Sequence, residues 1–374
     1  MDVVIVGAGV VGAALGFRLA AAGARVTLLE AAARVGAGTS GRSFAWTNAN
    51  DKPPRAYHDL NVAGMRAHAA LADEFGGLPW WHGGGSVEWF ATPAERDAQR
   101  TKIERLGGWG YTAEWLSPAQ LHELEPDVDL ASVGDAPIAY FPDEGWLDPI
   151  LYLHAMLEAA QRHGAQVRTG AHVVRVEVAG GRATGVVLSD GERCPADVVV
   201  NCAGRWADML SVGDEPDLRL PLAPTLGLLV FTPPVASCVR RIVRSAHVHL
   251  RPDGAGRLVL HMDDADATLT SATQPSPQLP IARDLVQRAA AILPSIGPVD
   301  PEAVRIGVRP IPADGLSAVG PLPGLSGYYV VVTHSGVTLS LILAHLAASE
   351  LTRGTSEAQL EPFRPTRLLV PSRI

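Results

Sequence analysis

The first thirty residues constrain the fold of this chain more than any other segment. A β-branched run leads directly into a glycine-rich turn and an apolar helical stretch, and a second strand-like run ends in an acid. This order of elements is typical of a βαβ unit that binds a dinucleotide. The segments are residues 3–6, 7–12, 11–22 and 25–29, closed by Glu30.

Each residue of this motif has a physical role in such a unit. Gly7 allows the tight turn, Gly9 lets the backbone approach a pyrophosphate, and Gly12 packs the helix against the sheet. The helix N-terminus faces the phosphates, and Glu30 can accept hydrogen bonds from ribose hydroxyls. An acid at this position disfavours the 2′-phosphate of NADP, so NAD and FAD remain as alternatives.

The residue pattern of the opening stretch fits neither a secretory signal nor a membrane span. Only Asp2 stands between Met1 and the apolar run, whereas a signal needs a basic segment there. Glycines and Arg18 interrupt the run, and no other window approaches the roughly 18–20 apolar residues of a span. We expect a soluble, cytoplasmic protein without a membrane span.

Composition narrows the possible partners. The 374 residues carry a net charge of −8 and contain no basic cluster, which argues against nucleic-acid binding. The three cysteines have neither paired nor metal-like spacing, so we expect a reducing compartment and no metal site. They are Cys194, Cys202 and Cys238.

A second strand, small-residue turn and helix lies near the C-terminus, in the segment "GYYVVVTHSGVTLSLILAHLAASEL". A nucleotide-facing element therefore occurs at each end of the chain. We predict a discontinuous nucleotide domain with another domain inserted into it.

Six segments in this order resemble the FAD-dependent D-amino-acid oxidase-like superfamily, in particular its glycine oxidase, sarcosine oxidase and D-amino-acid dehydrogenase branch. The first segment is common to FAD proteins, but the order and spacing of all six are specific, and they cover nearly the whole chain. They are "VVIVGAGVVG…LLE", "GTSGRS", "EGWLDP", "VVNCAGRWAD", "GVRPIPADG" and "THSGVTLS".

The resemblance implies an α/β fold class: an FAD/NAD(P)-binding Rossmann-like domain with an inserted α+β, mainly antiparallel-sheet substrate domain. We assign residues 1–85, 146–220 and 304–374 to the FAD-binding domain and residues 86–145 and 221–303 to the substrate domain.

FAD is the cofactor that the resemblance implies. Ala45 stands where dimethylglycine-type relatives carry a histidine that tethers flavin, and the C-terminal segment lacks the tethering cysteine of sarcosine oxidases, so we expect noncovalent FAD. The cofactor-binding residues are expected to be Gly7, Gly9, Val11, Gly12, Glu30, Ala31, Thr39, Ser40, Arg42, Ser43, Val173, Ala203, Gly204, Trp206, Gly336, Val337 and Thr338.

The implied reaction is oxidation of the C–N bond of an amino acid or N-substituted amino acid to an imine, by hydride transfer to flavin N5. Arg309 matches the arginine that binds the substrate carboxylate in the family, the alternative being a surface ion pair. His261 and His249 are further catalytic candidates, although each could equally be a hydrogen-bonded histidine of a sheet. The electron acceptor is O2 or another acceptor.

Two departures from the family carry expectations of their own. Arg257 is expected where sarcosine oxidases have an oxygen-assisting lysine, which predicts slow reaction with oxygen, since Lys52 and Lys102 are the only lysines. Six of the eight tryptophans fall between Trp80 and Trp146. Most of them are expected to pack in the core or at an interface, and one or two could line a pocket for a bulky or ring-bearing amine.

Two other functions stay open from the sequence. A flavin monooxygenase shares the N-terminal motif, but the Gly-Asp flavin motif expected near its C-terminus is missing. A flavin-binding subunit of a hetero-oligomeric dehydrogenase would share all six segments. The substrate, the choice between oxidase and dehydrogenase, and the oligomeric state stay open as well.

Overall fold

The β-branched run at the start of the chain forms an interior strand in the parallel part of a buried sheet. In the computed structural model, which describes residues 1–213 and 220–369, Val3–Val6 are all buried. Strands covered on both faces need such continuous apolar runs. The strands of the described part are β1 (Asp2–Val6), β2 (Arg25–Glu30), β3 (Trp46–Thr47), β4 (Trp81–His82), β5 (Ser86–Glu88), β6 (Glu114–Leu116), β7 (Ile138–Phe141), β8 (Gly145–Leu147), β9 (Gln166–Thr169), β10 (Val173–Ala179), β11 (Arg182–Leu188), β12 (Arg193–Pro195), β13 (Val198–Asn201), β14 (Ser211–Val212), β15 (Leu222–Phe231), β16 (Ile242–Arg244), β17 (His249–Pro252), β18 (Leu258–His261), β19 (Ala303–Pro312), β20 (Ala318–Leu322) and β21 (Leu325–Val332).

Some of the helices begin at a residue whose side chain caps the first turn. Asp148, for example, accepts hydrogen bonds from the amides of Ile150 and Leu151 at the start of a helix that begins with Pro149. The helices of the described part are α1 (Val10–Ala21), α2 (Arg55–Phe75), α3 (Pro93–Gly108), α4 (Pro118–Leu124), α5 (Leu130–Val133), α6 (Pro149–Arg162), α7 (Asp263–Asp266), α8 (Pro280–Ile292) and α9 (Gly336–Arg353).

The first sheet has ten strands in the order β14-β10-β11-β21-β13-β1-β2-β9, with β12 on β11 and β20 on β21. Strand β1 is parallel to both of its neighbours, with Val3 opposite Val26 on one side and Val198 on the other. Helix α1 packs against α6 and α9. Strand β21 lies only one strand away from β1, so segments from both ends of the described chain share one sheet.

The second sheet is mainly antiparallel and has eight strands in the order β19-β15-β18-β17-β16-β5-β7-β6. Only the pair of β16 and β5 is parallel among the pairs described in it. Its core includes apolar residues of α8 and of strands β15, β17 and β18. A third sheet, β3-β8-β4, is small. The predicted α/β fold class is confirmed.

One predicted boundary cuts through a strand. Strand β19 pairs with β15 along its full length, from Ala303 opposite Phe231 to Pro312 opposite Leu222. The second sheet therefore extends to Pro312, nine residues into the segment that the sequence assigned to the nucleotide domain. The domain division stays a prediction. No helix in the described part is long and apolar enough to cross a membrane.

Candidate active site

The carboxyl ends of four neighbouring parallel strands meet at one edge of the first sheet. Gly7 follows β1, Ala31 follows β2, Cys202 follows β13 and Thr333 follows β21. These ends surround a cavity of about 820 Å3. Crevices at this edge of α/β sheets are where nucleotides bind. All of the predicted cofactor residues except Gly12 and Thr338 line this first cavity.

The glycine-rich turn leaves no room for side chains. Gly7 has a φ of 101°, and a Cβ atom on it would lie 2.5 Å from the carbonyl oxygen of Cys202. A Cβ on Gly9 would lie 3.0 Å from Ser40 Oγ. Gly12 is buried behind the turn, where a Cβ would lie 2.0 Å from the Gly7 oxygen, so its part in the site is packing.

Two helices start at this cavity without a side-chain cap from the residue that precedes them. Ser40 Oγ does accept from the amide of Val10 at the start of α1, at 3.1 Å. Neither Gly9, which precedes α1, nor Ser335, which precedes α9, has a side-chain hydrogen bond that caps the helix. Ser335 is instead held by the hydroxyl of Tyr57 at 2.8 Å. Unsatisfied backbone N–H groups and the helix dipole together make such N-termini favourable for phosphates and other anionic groups.

Glu30 is fixed at the end of β2. Its two carboxylate oxygens accept from the amides of Ala8 at 3.2 Å and Ala32 at 3.0 Å, and the carboxylate lines the cavity. It can accept hydrogen bonds from ribose hydroxyls there. Together with the backbone turn and the two helix N-termini, this carboxylate fits a dinucleotide such as FAD.

A second cavity, of about 310 Å3, adjoins the first. The two cavities share six wall residues, namely Thr39, Arg42, Ser43, Pro310, His334 and Val337. Thr338 lines the second cavity rather than the first, and the three predicted catalytic residues Arg309, His261 and His249 also line it. The structure therefore brings these three together beside the nucleotide cavity.

Arg309 projects from β19 into a small polar cluster. Its Nη2 contacts the carboxylate of Asp266 and lies 3.0 Å from His261 Nε2. The guanidinium packs over Gly227 of the neighbouring strand, where a Cβ would lie 3.0 Å from Nη2. Asp266 also accepts from the amide of Leu228 at 2.6 Å. Among the described residues no group accepts a hydrogen bond from Nε or Nη1 of Arg309, so part of the guanidinium fork is available.

The charge of this cluster is balanced inside the protein. Burial raises the pKa of Asp266. Hydrogen bonds from His261 and Leu228 and the charge of Arg309 lower it by a larger amount, so the pKa lies below its usual value. Asp263 completes a group with His261 and Asp266 whose potential ligand atoms lie within 4.8 Å of one another. Because Arg309 already contacts Asp266, a metal ion there would have to displace a cation.

His249 faces His261 from the neighbouring strand. The two residues are register partners, and their ring centroids are 5.7 Å apart. His249 is buried, and this burial, together with the charges of Arg244 and Lys102 and with His261, holds its pKa well below the usual value. His249 is therefore a neutral imidazole at neutral pH.

Lys52 is a residue of the cavity that the sequence did not single out. It lies half-buried on the segment that follows β3 and lines the second cavity. The low polarity of the surrounding protein lowers its pKa, an effect that Asp51 and Glu144 oppose and that Arg244 reinforces. Its sequence signal is weak, since a lysine after "TNAND" belongs to none of the motifs.

Glu144 holds the segment that leads to Lys52. Its buried carboxylate accepts from Trp46 Nε1 at 3.0 Å, from the backbone and side chain of Asn50 at 3.2 Å each, from Ser86 Oγ at 2.6 Å and from Tyr111 OH at 2.9 Å. Burial raises its pKa to about 7, although the hydrogen bonds from Ser86 and Tyr111 oppose the shift. The segment 46–50 is thereby bound to the second sheet.

The prediction for Arg257 is wrong. This residue lies beyond the turn of the β17–β18 hairpin, where it forms hydrogen bonds of 2.6 and 2.8 Å with Glu302, and it lines neither cavity. The register places His261, four residues later, at the cavity instead. The expectation of slow reaction with oxygen loses its basis.

Several of the tryptophans pack in the interior, as expected for most of them, but the suggestion that one or two line a pocket is wrong. None of the six between Trp80 and Trp146 lines either cavity. Trp46 lines the second cavity, and Trp206 lines the first. Trp80, Trp89 and Trp146 are buried in the protein interior. The cluster of tryptophans in the sequence reflects packing.

The fold and the first cavity define a dinucleotide-binding protein with a second cavity beside the nucleotide cavity. The family model described as "FAD dependent oxidoreductase", DAO, matches residues 2–350. The chain belongs to this family, and FAD is its cofactor. The match favours this family over the flavin monooxygenase alternative.

Individual relatives are distant but extend over most of the chain. The chain is 27% identical over 380 residues to glycine oxidase from Geobacillus kaustophilus, covering 98% of this chain and 97% of that protein. The crystal structure of glycine oxidase from G. kaustophilus has a TM-score of 0.84, with 26% identity and 98% coverage of both chains. L-Proline dehydrogenase from P. horikoshii has the same fold, with a TM-score of 0.85, 19% identity and coverage of 98% and 97%.

Hydrogen cyanide synthase subunit HcnC from Pseudomonas aeruginosa is 25% identical over 255 residues. This match covers 68% of this chain and 59% of HcnC.

Proposed function

We propose that the protein oxidises the C–N bond of an amino acid or an N-substituted amino acid to an imine. The observation that carries this proposal is Arg309, whose guanidinium lines a cavity beside the FAD site and keeps N–H groups free. FAD would accept the hydride, which carries both electrons of the oxidation, and the amine proton would leave to solvent. Positioning of the substrate is the main task left to the protein.

Arg309 is suited to bind the substrate carboxylate. Asp266 holds one end of the guanidinium, and Gly227 lets its plane lie close to the sheet. Within the described part, Nε and Nη1 keep their N–H groups free, and a carboxylate that accepts from one of them together with the second hydrogen of Nη2 would be held through both of its oxygens. A carboxylate bound in this way fixes the orientation of the adjacent Cα and amine. The known relative named glycine oxidase supports an amino-acid substrate.

Asn48 can receive the amine. Its side chain is 4% exposed and lines the second cavity, and within the described residues no group donates to its Oδ1. A buried acceptor without a donor is costly, on the order of 1–3 kcal/mol. An amine N–H of the substrate is a donor of the kind that this oxygen lacks.

FAD is proposed to be bound without a covalent link. Ala45, where some relatives tether flavin, is buried and lines the second cavity. Cys202 lines the first cavity beside Gly7, at the glycine-rich turn rather than at the second cavity. Acid precipitation is expected to release a yellow supernatant, and flavin that stays on the denatured protein would contradict this part of the proposal.

The test of the function is an anaerobic screen for bleaching of the flavin absorption band. Amino acids of both configurations and N-alkylated amino acids are compared with the amines that lack the carboxylate. We expect bleaching by at least one carboxylate-bearing amine and little by its decarboxylated counterpart. Bleaching by simple amines alone would show that the substrate is not an amino acid. Reoxidation is followed with oxygen and with an artificial dye, because the acceptor is O2 or another acceptor.

A second candidate is a flavin-binding subunit of a larger dehydrogenase. The match to a relative named as a synthase subunit favours it. Size-exclusion chromatography and turnover by the isolated chain separate the two proposals. A chain that bleaches with amino acids and turns over alone does not need a partner subunit, whereas a chain that binds FAD but turns over only in a complex is such a subunit.

A further inference from the structure

We propose that the substrate carries a second carboxylate and that Lys52 binds it. The substrate class is then a dicarboxylic amino acid or an amino acid whose nitrogen bears a carboxyalkyl group. This inference rests on the proposed function, because it assumes that Arg309 binds the carboxylate next to the reacting C–N bond.

Lys52 differs from the other cations that project from strands into the second cavity. Arg309 contacts Asp266, and Arg244 donates to Glu88 at 2.8 Å. Lys52 forms no ion pair within residues 1–213 and 220–369. Arg42, which also lines this cavity, forms no ion pair in the described part either, but it is exposed. Lys52 is therefore the half-buried cation of the cavity with which no carboxylate of the described residues pairs.

The nearby acids Asp51, which also lines the cavity, and Glu144 offset the charge of Lys52 only in part, because neither forms an ion pair with it. Asp51 is exposed and lies outside ion-pair distance of Lys52, and Glu144 is occupied by donors from the segment 46–50 and from Ser86 and Tyr111. A partly buried ammonium without a counter-ion is unfavourable. A bound anion removes this cost, so the binding of a carboxylate at Lys52 is favoured.

Lys52 and Arg309 both line the second cavity, but they come from different elements. Arg309 is on β19, whereas Lys52 is on the segment after β3. The low polarity of the surrounding protein and the charges of both residues lower the pKa of His334 to about 3. His334 is therefore near both cations and stays neutral. One substrate with a carboxylate at each end can contact both cations at once.

The test compares substrates that differ by one carboxylate. N-(Carboxymethyl)glycine and N-methylglycine form one pair, and aspartate and alanine, in both configurations, form another. The rate of anaerobic flavin reduction gives kcat/KM for each. We expect the wild-type protein to favour the diacid of at least one pair by tenfold or more.

The variant Lys52→Met keeps the length of the side chain and removes the charge. We expect the ratio of diacid to monoacid kcat/KM to fall about tenfold or more, mainly through KM. Arg257→Met is the matched control, since it removes one positive charge from a surface ion pair outside both cavities, and its ratio should equal that of the wild type. A ratio in Lys52→Met that stays within threefold of the wild-type ratio would overturn the proposal.

A binding measurement on the wild-type protein covers the case in which Lys52→Met does not fold. Glutarate and butyrate, which lack the amine, are titrated while the flavin spectrum is recorded. Glutarate should bind at least tenfold more tightly than butyrate, and equal binding would overturn the inference. If monoacids bleach the flavin and diacids do not, this inference fails while the proposed function stands. If no amino acid bleaches the flavin, the proposed function itself fails.

Discussion

The two cavities are built from different parts of the chain. The first is formed largely by backbone, at a glycine turn and two helix N-termini that follow parallel strands. The second is formed by charged side chains that come from the segment after β3, from β16 and from β19. Backbone sites depend on the absence of side chains at a few consecutive positions. Side-chain sites depend on the register of strands that are far apart in sequence. The second cavity is therefore tested by replacing a charged side chain, and the first by adding a side chain to a glycine.

The largest effect is expected at Arg309. Arg309→Ala should lower kcat/KM for the amino-acid substrate by a factor of about 10²–10³, since truncating one partner of a charge-assisted pair costs on the order of 2–5 kcal/mol. Arg309→Lys should restore part of the loss, because an ammonium lacks the paired donors. Anaerobic flavin reduction measures both variants.

Arg305→Ala is the control on the same strand, since Arg305 is exposed, lines neither cavity and should keep kcat/KM within threefold. The amine without a carboxylate should respond little to Arg309→Ala. Equal losses with the acid and with its decarboxylated counterpart, or loss of FAD from Arg309→Ala, would show that Arg309 does not bind the carboxylate.

The backbone cavity is tested by Gly7→Ala. Its Cβ would lie 2.5 Å from the Cys202 oxygen at a φ of 101°, so we expect at least a 100-fold loss of FAD affinity and a lower stability by about 3 kcal/mol. Gly23→Ala is the matched control, because Gly23 has a φ of 87° and nothing within 4 Å of the added Cβ. It should cost about 1 kcal/mol and leave FAD binding unchanged. Equal FAD loss in both variants would mean that backbone strain alone, rather than the contact with Cys202, is responsible.

Glu144 predicts a pH dependence of stability. Its folded-state pKa of about 7 lies above the unfolded value of 4.5, so the native state holds the proton more tightly, and the contribution to stability falls as pH rises between these values. The full change amounts to roughly 3 kcal/mol. Chemical denaturation from pH 4 to 8 measures the free energy of unfolding of the wild type and of Glu144→Gln. The wild type should lose stability as pH rises from about 4.5 to about 7, and the variant should not.

Glu350 provides the opposite case. Burial raises the pKa of Glu350, but Arg364 and Tyr329 lower it by a larger amount. The contribution of Glu350 to the free energy of unfolding is therefore present above its unfolded pKa and is lost as pH falls. Glu350→Gln should therefore weaken the loss of stability in acid. If both variants change the pH profile in the same direction, the assignment of Glu144 is wrong.

The smallest effect is expected at Arg257. Its pair with Glu302 is partly exposed, so Arg257→Met should change stability by less than about 1 kcal/mol and leave the rate of flavin reoxidation unchanged. Stopped-flow reoxidation in air measures this rate. A slower reoxidation would show that Arg257 acts in the active site after all, although it lines neither cavity.

The sequence predicts the first cavity well because its signals are local. The strand, the glycines and the acid at Glu30 lie within one continuous stretch, and each requirement can be stated for a single position. The second cavity depends on which residues face each other across β15, β18 and β19. Family resemblance places Arg309 correctly in that cavity, but a shift of a few residues along a hairpin separates His261 from Arg257. Lys52 belongs to no sequence motif, and only the structure shows that it lines the second cavity.

Strand β19 leads through β20 and β21 to α9, so one uninterrupted segment carries both Arg309 and the turn before Gly336. Its first part is anchored to β15 over ten residue pairs, and its last strand is anchored to β13. If Arg309 binds the substrate carboxylate and the turn before Gly336 faces the flavin, this one segment fixes their relative placement. A ligand that binds Arg309 acts on the same continuous chain as the flavin, so its arrival should be visible in the flavin spectrum without any closure of one sheet upon the other.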